Sequence, residues 1–335
     1  MSKHYLIQEV IGMKLGVFIV LFSDKSLEEA LDMIKPYNFE AVEIGCGGFI
    51  PKTHCDPEKM LKDKSKIVKF KKELEKRNLI LSALSCHGDV LHPDKSISEV
   101  HENDLKKAMQ LCSELEIERV ITFSGCPGDG TNSKVPNWVT CSWPDYYTEL
   151  LNWQWNECII PKWKHLAEFG KKYGVTKICL EMHPGFSVYN PETLLRLRNA
   201  VGDSIGANFD PSHLFWQGID PIFAIRELKD CIFHVHAKDS VVSKVVALKN
   251  GVLETKPLGS NYERAWNFKT VGYGHGEEFW RAFIWELQQV GYDHVLSIEH
   301  EDFQMSLIEG LSKAVDFLRS HIIKEKPGKL WFESK

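Results

Sequence analysis

Four side chains able to hold a hard metal ion or move a proton each close a short β-type run. Glu181 ends Ile178-Cys179-Leu180-Glu181 and Asp210 ends Ala207-Asn208-Phe209-Asp210. His236 lies in His234-Val235-His236, and Glu299 ends Leu296-Ser297-Ile298-Glu299. They stand 29, 26 and 63 residues apart. The first two intervals are each about one strand-plus-helix unit, and the third is one unit plus a long connection. Residues one unit apart on adjacent parallel strands lie side by side, so the four can converge on one point. Three carboxylates and one imidazole form an oxygen-rich set, which suits Mn2+ or Mg2+ better than a cysteine-lined zinc site does. A lone strand-end glutamate is ordinarily solvated or salt-bridged, and a lone His-x-His is ordinarily core. Four such residues closing four consecutive strands are hard to assign to chance.

The elements that must position them alternate along the chain. Short β-branched runs are expected at Lys14–Val20, Ala41–Ile44, Leu79–Leu84, Arg119–Phe123, Val175–Met182, Ile205–Phe209, Ile232–Val235 and Val295–Ile298, with helical spacing after each. Ser26 reads as a helix N-cap, with Glu28 and Glu29 in the first turn. Strict βα alternation demands parallel strands joined by right-handed crossovers, and eight units match a single (β/α)8 TIM barrel of the α/β class. No GxGxxG follows the first strand, which counts against a dinucleotide-binding sheet. We expect an N-terminal extension over 1–12, a catalytic barrel over 13–322 and a charged tail over 323–335, with Trp331 and Phe332 docking onto the domain or a neighbour. Long loops are expected after strand four (Gly125 to Trp143) and strand seven (Ser240 to Gly274), both on the face where barrel active sites are built.

The balance of 41 basic and 46 acidic residues in 335 gives a net charge of −5, which argues against a general nucleic-acid-binding surface. No window approaches the roughly 20 apolar residues of a membrane span, and the start lacks the plan of a secretory signal. Nine scattered cysteines without a CxxC pair read as reduced thiols of a cytoplasmic protein.

Further candidates sit near the expected mouth. His183 follows Glu181 by two residues and so points to the same side of the strand, as an acid/base group or as support for the ligands. His87 ends strand three and is read as a substrate contact or a structural histidine. Glu43 ends strand two, either bonding a substrate hydroxyl or capping the barrel. Lys238 is placed to contact substrate or to pair with Asp239 or another acid. Trp138, Trp143, Phe215 and Trp216 lie on mouth loops, placed to stack on a ligand ring, whereas Trp153, Trp155 and Trp163 fall at helical spacing and read as core or interface. Gly45–Gly48 is too short to cradle a phosphate.

The set resembles the xylose-isomerase-like barrel superfamily of sugar isomerases and epimerases, over essentially all of residues 13–322. The resemblance is carried by Glu181, Asp210-x-x-His213, His234-x-His236-x-Lys238-Asp239, Gly272-Tyr273-Gly274 and Glu299. It implies that Glu181, Asp210, His236 and Glu299 bind one divalent cation, with Mn2+ expected and Mg2+, Co2+ or Zn2+ as alternatives. It implies that Glu181 and Glu299 are the acid/base pair and that His213 orients substrate or metal. The stretches Glu181-Met182-His183-Pro184-Gly185 and Asn208 to Gly218 resemble a branch containing C-glycoside deglycosidase α subunits, which act on 3-oxo-glycosides with a small β subunit. In that branch a histidine matching His183 is the proposed base.

The chemistry implied is proton abstraction next to a carbonyl through a metal-stabilised enediolate. Return of the proton to the opposite face gives epimerisation, transfer to the adjacent carbon gives isomerisation, and loss of a β leaving group gives a lyase. A metal-dependent sugar isomerase or epimerase is the leading reading and a 3-oxo-glycoside lyase the alternative. An abasic-site endonuclease is the third, and it requires an Asp-x-His before the Gly-x-Gly turn, where this chain has Asn267 and Lys269. The expected partners are a small carbohydrate or 3-oxo-glycoside and either a second copy or a small β subunit, with no nucleic acid and no membrane.

Overall fold

The computed structural model describes residues 12–260, 262–325, 328, 331 and 332. Among the described residues ten strands occur in chain order: β1 (Lys14–Phe18), β2 (Ala41–Gly45), β3 (Ile80–Ser85), β4 (Arg119–Thr122), β5 (Lys177–Glu181), β6 (Ile205–Phe209), β7 (Ile232–Ala237), β8 (Asp239–Val242), β9 (Trp266–Lys269) and β10 (Val295–Ile298). Strands β1 to β7 and β10 close a parallel barrel, with β1 paired to both β2 and β10. The chain is a single (β/α)8 TIM barrel, as its alternation predicts. Residues 1–11 of the expected N-terminal extension lie outside the described residues. In the tail, Trp331 and Phe332 are exposed and meet edge to face.

Local chemistry explains the main helices. Ser26 caps Leu27–Ile34 in a reciprocal box with Glu29, and Asp94 caps the long helix Lys95–Leu115. Their apolar faces bury against strands lined with Val, Leu and Ile, forming one continuous core. At the barrel floor Ala83, Ile121, Cys179 and Phe233 fill the interior. Gly206 is required there, because a Cβ would lie 2.4 Å from the Phe233 ring. Trp163 is fully buried and donates from Nε1 to the Ser124 carbonyl at 2.9 Å, tying a barrel helix to the start of the fourth loop.

Three expectations change. The helical stretch after strand four is two helices, Tyr146–Trp153 and Ile160–Lys172, joined by a π-helical turn over Gln154–Ile159. That turn falls just before Pro161, which has no N–H to offer the preceding turn. A short helix, Pro57–Lys62, precedes the main helix Lys64–Glu75 after strand two. The long seventh connection is not irregular throughout: β8 and β9 pair antiparallel, with the helix Lys244–Asn250 between them. No helix among the described residues is long and apolar enough to cross a membrane. All nine cysteines are free thiols.

Candidate functional site

The four strand-closing residues meet at the C-terminal mouth of the barrel. Glu181, Asp210, His236 and Glu299 each offer a ligand atom within 4.8 Å of the others. His236 Nδ1 lies 3.0 Å from Glu299 Oε2 and 3.4 Å from Glu181 Oε2. Asp210 caps the short helix Pro211–Phe215, accepting the Ser212 N–H on Oδ1. Its Oδ2 is buried without a hydrogen bond and faces Lys238 Nζ at 3.0 Å and His213 Nε2 at 3.3 Å. Three carboxylates and one imidazole nitrogen in so small a space fit a hard divalent cation.

The surrounding groups hold these donors in place. Glu181 accepts hydrogen bonds from His87 Nε2 at 3.1 Å, His213 Nε2 at 3.1 Å and Asn208 Nδ2 at 3.0 Å. Glu43 crosses the barrel to accept from His236 Nε2, at 3.0 Å to both carboxylate oxygens, and from Ser85 Oγ and Ser297 Oγ. Asn208 Oδ1 accepts from His234 Nδ1 at 3.1 Å, which fixes which way the amide points. Lys238 Nζ touches Glu299 Oε2 at 2.7 Å and Glu301 Oε2 at 3.0 Å, and its side chain is buried. Of the two alternatives for this lysine, the acid partners are therefore Asp210, Glu299 and Glu301 and not Asp239. Asp239 instead receives the backbone N–H groups of Gly272, Gly274 and His275 and pins that turn.

These contacts set the charges. Burial opposes ionisation of Glu43, but His236, His234 and Ser85 outweigh it and hold the carboxyl at about 2. Glu181 and Glu299 are likewise held well below the usual carboxylate range against the cost of burial, Glu181 by His213, His236 and His87 and Glu299 by Lys238 and His236. The Lys238 ammonium is held far above its ordinary value by Asp210, Glu299 and Glu301 despite its burial. Burial and the adjacent Glu299 raise Glu301 even though Lys238 pulls it down.

His183 reaches the same cavity, with its ring 4.2 Å from that of His213. Its Nδ1 donates to the Pro184 carbonyl at 2.6 Å, which leaves Nε2 with a free lone pair. Burial, then the neighbouring His213, pushes its pKa down to about 3. The ring is flanked by Phe123 and Phe186, which stack on each other at 4.4 Å.

Other expected residues go elsewhere. Trp216 is buried and lies flat on Trp266, 4.7 Å away, so it packs under the β8–β9 hairpin and is not open to a ligand as expected. Phe215 stacks on His275, and Trp143 is exposed. Trp138 meets Tyr189 edge to face. Trp155 and Trp163 are core, as their spacing predicts. His300 points away from the mouth and packs against Gly310.

Sequence reasoning missed Asn208, Glu301, Phe123, Phe186 and Phe268. Glu301 was detectable, since it follows Glu299 by two residues and points the same way. Phe268 was not, because it reaches Lys238 (Nζ 4.7 Å from the ring centre) and His213 only through the hairpin pairing.

Residues 31–321 match the family described as Xylose isomerase-like TIM barrel. The uncharacterised protein YfiH of Bacillus subtilis (strain 168) is 39% identical over 312 residues, covering 92% of this chain and 99% of that protein. A D-tagatose 3-epimerase-like protein superposes with a TM-score of 0.61 at 20% identity, covering 92% of this chain and 97% of that one. The IolI protein, solved with a bound zinc atom, superposes with a TM-score of 0.59 at 19% identity, covering 92% and 99%. At these identities the two structural likenesses speak to the fold.

Proposed function

The chain belongs to the xylose isomerase-like TIM barrel family, and from that premise we propose that it is a divalent-metal-dependent sugar isomerase or epimerase working by proton transfer next to a carbonyl. The observation that carries the proposal is the meeting of Glu181, Asp210, His236 and Glu299 within 4.8 Å at the barrel mouth. These four are the proposed ligands, and Mn2+ is the proposed ion. Bound there, a divalent cation supplies Lewis-acid stabilisation of negative charge developing on substrate oxygens.

The remaining chemistry falls to the protein. Glu181 and Glu299 approach His236 Nδ1 as two separate carboxylates. They are therefore the proposed proton acceptor and donor at the reacting carbon. Both are held ionised by the groups around them, so each rests as an acceptor and serves as a donor only once it has taken a proton. His213 and His87 keep Glu181 aimed, and His213 and Lys238 are the proposed contacts to substrate hydroxyls. The phenylalanine pair Phe123–Phe186 packs against the His183 ring.

One observation favours a second reading. His183 has Nδ1 committed to a backbone carbonyl and Nε2 open, which supports a base distinct from the two carboxylates. A third acid/base group suits elimination from a 3-oxo-glycoside, in which proton removal and leaving-group departure involve different positions. Assay of free ketoses and 3-oxo-glycosides, with the protein alone and with a small partner subunit, separates the readings. Turnover of ketoses by the protein alone supports the isomerase, and release of an aglycone supports the lyase.

A further inference from the structure

Resting on the reading of Glu181, Asp210, His236 and Glu299 as cation ligands, we propose that Glu43 is the positioning residue of this centre, fixing the His236 ring so that Nδ1 faces the cation. The interior of a TIM barrel is ordinarily filled by branched aliphatic side chains. Here the layer below the mouth holds Glu43, Ser85, Asn208, His234 and Ser297, none of them accessible. A buried carboxylate is costly unless it is paired, and a valine would fill β2 without that cost. The surroundings of Glu43 show what the charge is used for. His236 Nε2 lies 3.0 Å from each oxygen. Ser85 Oγ on β3 donates at 2.5 Å and Ser297 Oγ on β10 at 2.7 Å, so the carboxylate is held from both flanks and cannot turn away.

The consequence is a choice of nitrogen. With its proton on Nε2 and given to Glu43, the imidazole would turn its Nδ1 lone pair to a cation held by Glu181, Asp210 and Glu299. Asn208 lies against the ring: its Nδ2 bonds Glu181 and is 3.1 Å from His236 Nδ1 and 3.3 Å from Nε2, and its Oδ1 is locked by His234. Loss of Glu43 frees the ring to rotate and weakens its donor nitrogen.

The test is calorimetric titration of Mn2+ into the metal-stripped full chain. Carboxylate partners of this kind set metal affinity by about 10–100-fold, and that loss is expected for Glu43→Gln. In a His236→Asn background the same substitution is expected to change affinity by less than about threefold, since a residue acting through the ring has nothing left to act on. A merely structural role, or a through-space effect of the charge, gives equal losses in both backgrounds and overturns the proposal, as does wild-type affinity in Glu43→Gln. If Glu43→Gln does not fold, Ser85→Ala/Ser297→Ala takes its place with the same expectation and the same contradicting result. Absence of Mn2+ binding by the wild-type chain overturns the ligand reading itself, an outcome distinct from the others.

Discussion

The Lys238 ammonium lies 2.7 Å from the Glu299 carboxylate. Within 3.0 Å it also meets Asp210 and Glu301, so a built-in cation already shares oxygens with two of the proposed metal ligands. Lys238→Met is therefore predicted to tighten divalent-cation binding by about tenfold, because a like charge beside the ion is removed. It is also predicted to destabilise the metal-free fold by about 3–5 kcal/mol, because buried carboxylates lose their partner. Titration calorimetry and denaturant unfolding read the two effects. Unchanged or weaker metal binding contradicts the arrangement.

His183 is predicted to act through its open Nε2. His183→Ala should lower turnover by about 10²–10⁴-fold while leaving metal content unchanged. Because burial holds its pKa at about 3, the residue is neutral throughout pH 5–9, and it should contribute no acid limb near 6.5 to the rate profile. Wild-type turnover by the variant removes the catalytic role, and it removes the support for the elimination reading with it.

A cation that binds the folded chain and not the unfolded one must stabilise it. At an ion concentration 100 times Kd the gain is about 2.7 kcal/mol, and Tm should rise by several degrees. Chelation should reverse the shift. A Tm indifferent to Mn2+ contradicts the proposed centre.

Stability at low pH follows from histidines buried in the neutral form. His294, at the opposite end of the barrel, donates to the Ser82 carbonyl at 3.3 Å, and burial together with Arg119 lowers its pKa to about 3. The folded state resists the proton that the unfolded chain accepts near 6.5, so stability is full above that pH and falls as pH drops toward 3. Between pH 7 and 5 the loss from this residue is at most about 2 kcal/mol. His294→Gln keeps an N–H for Ser82 and should flatten this limb in denaturant titrations at pH 5. An unchanged slope counts against the buried neutral form.

How much of this was legible in the sequence depended on range. All eight barrel strands, their parallel order and the convergence of Glu181, Asp210, His236 and Glu299 follow from local pattern and from the one-unit interval between them. The partners of those residues do not, because they come from across the barrel. Glu43 stands out as a charge in Ala-Val-Glu-Ile-Gly, but only closure of the barrel, with β1 and β10 between β2 and β7, brings it to His236. Asn208 is hidden inside a strand, and nothing local distinguishes it from a solvated amide. The β8–β9 hairpin escaped for the same reason. Its strands are four residues each and 23 residues apart, with no tight turn to announce the pairing, so the burial of Trp216 under Trp266 could not be foreseen.

The central claim is proton transfer at a carbon next to a carbonyl, by carboxylates gathered on a metal centre. Mass spectrometry of ketose and 3-oxo-glycoside substrates incubated with Mn2+-loaded protein in deuterated water tests it most directly. The account predicts uptake of one carbon-bound deuterium that requires the cation and is lost in Glu299→Gln. Uptake that persists in Glu299→Gln, or that is the same without the cation, contradicts it.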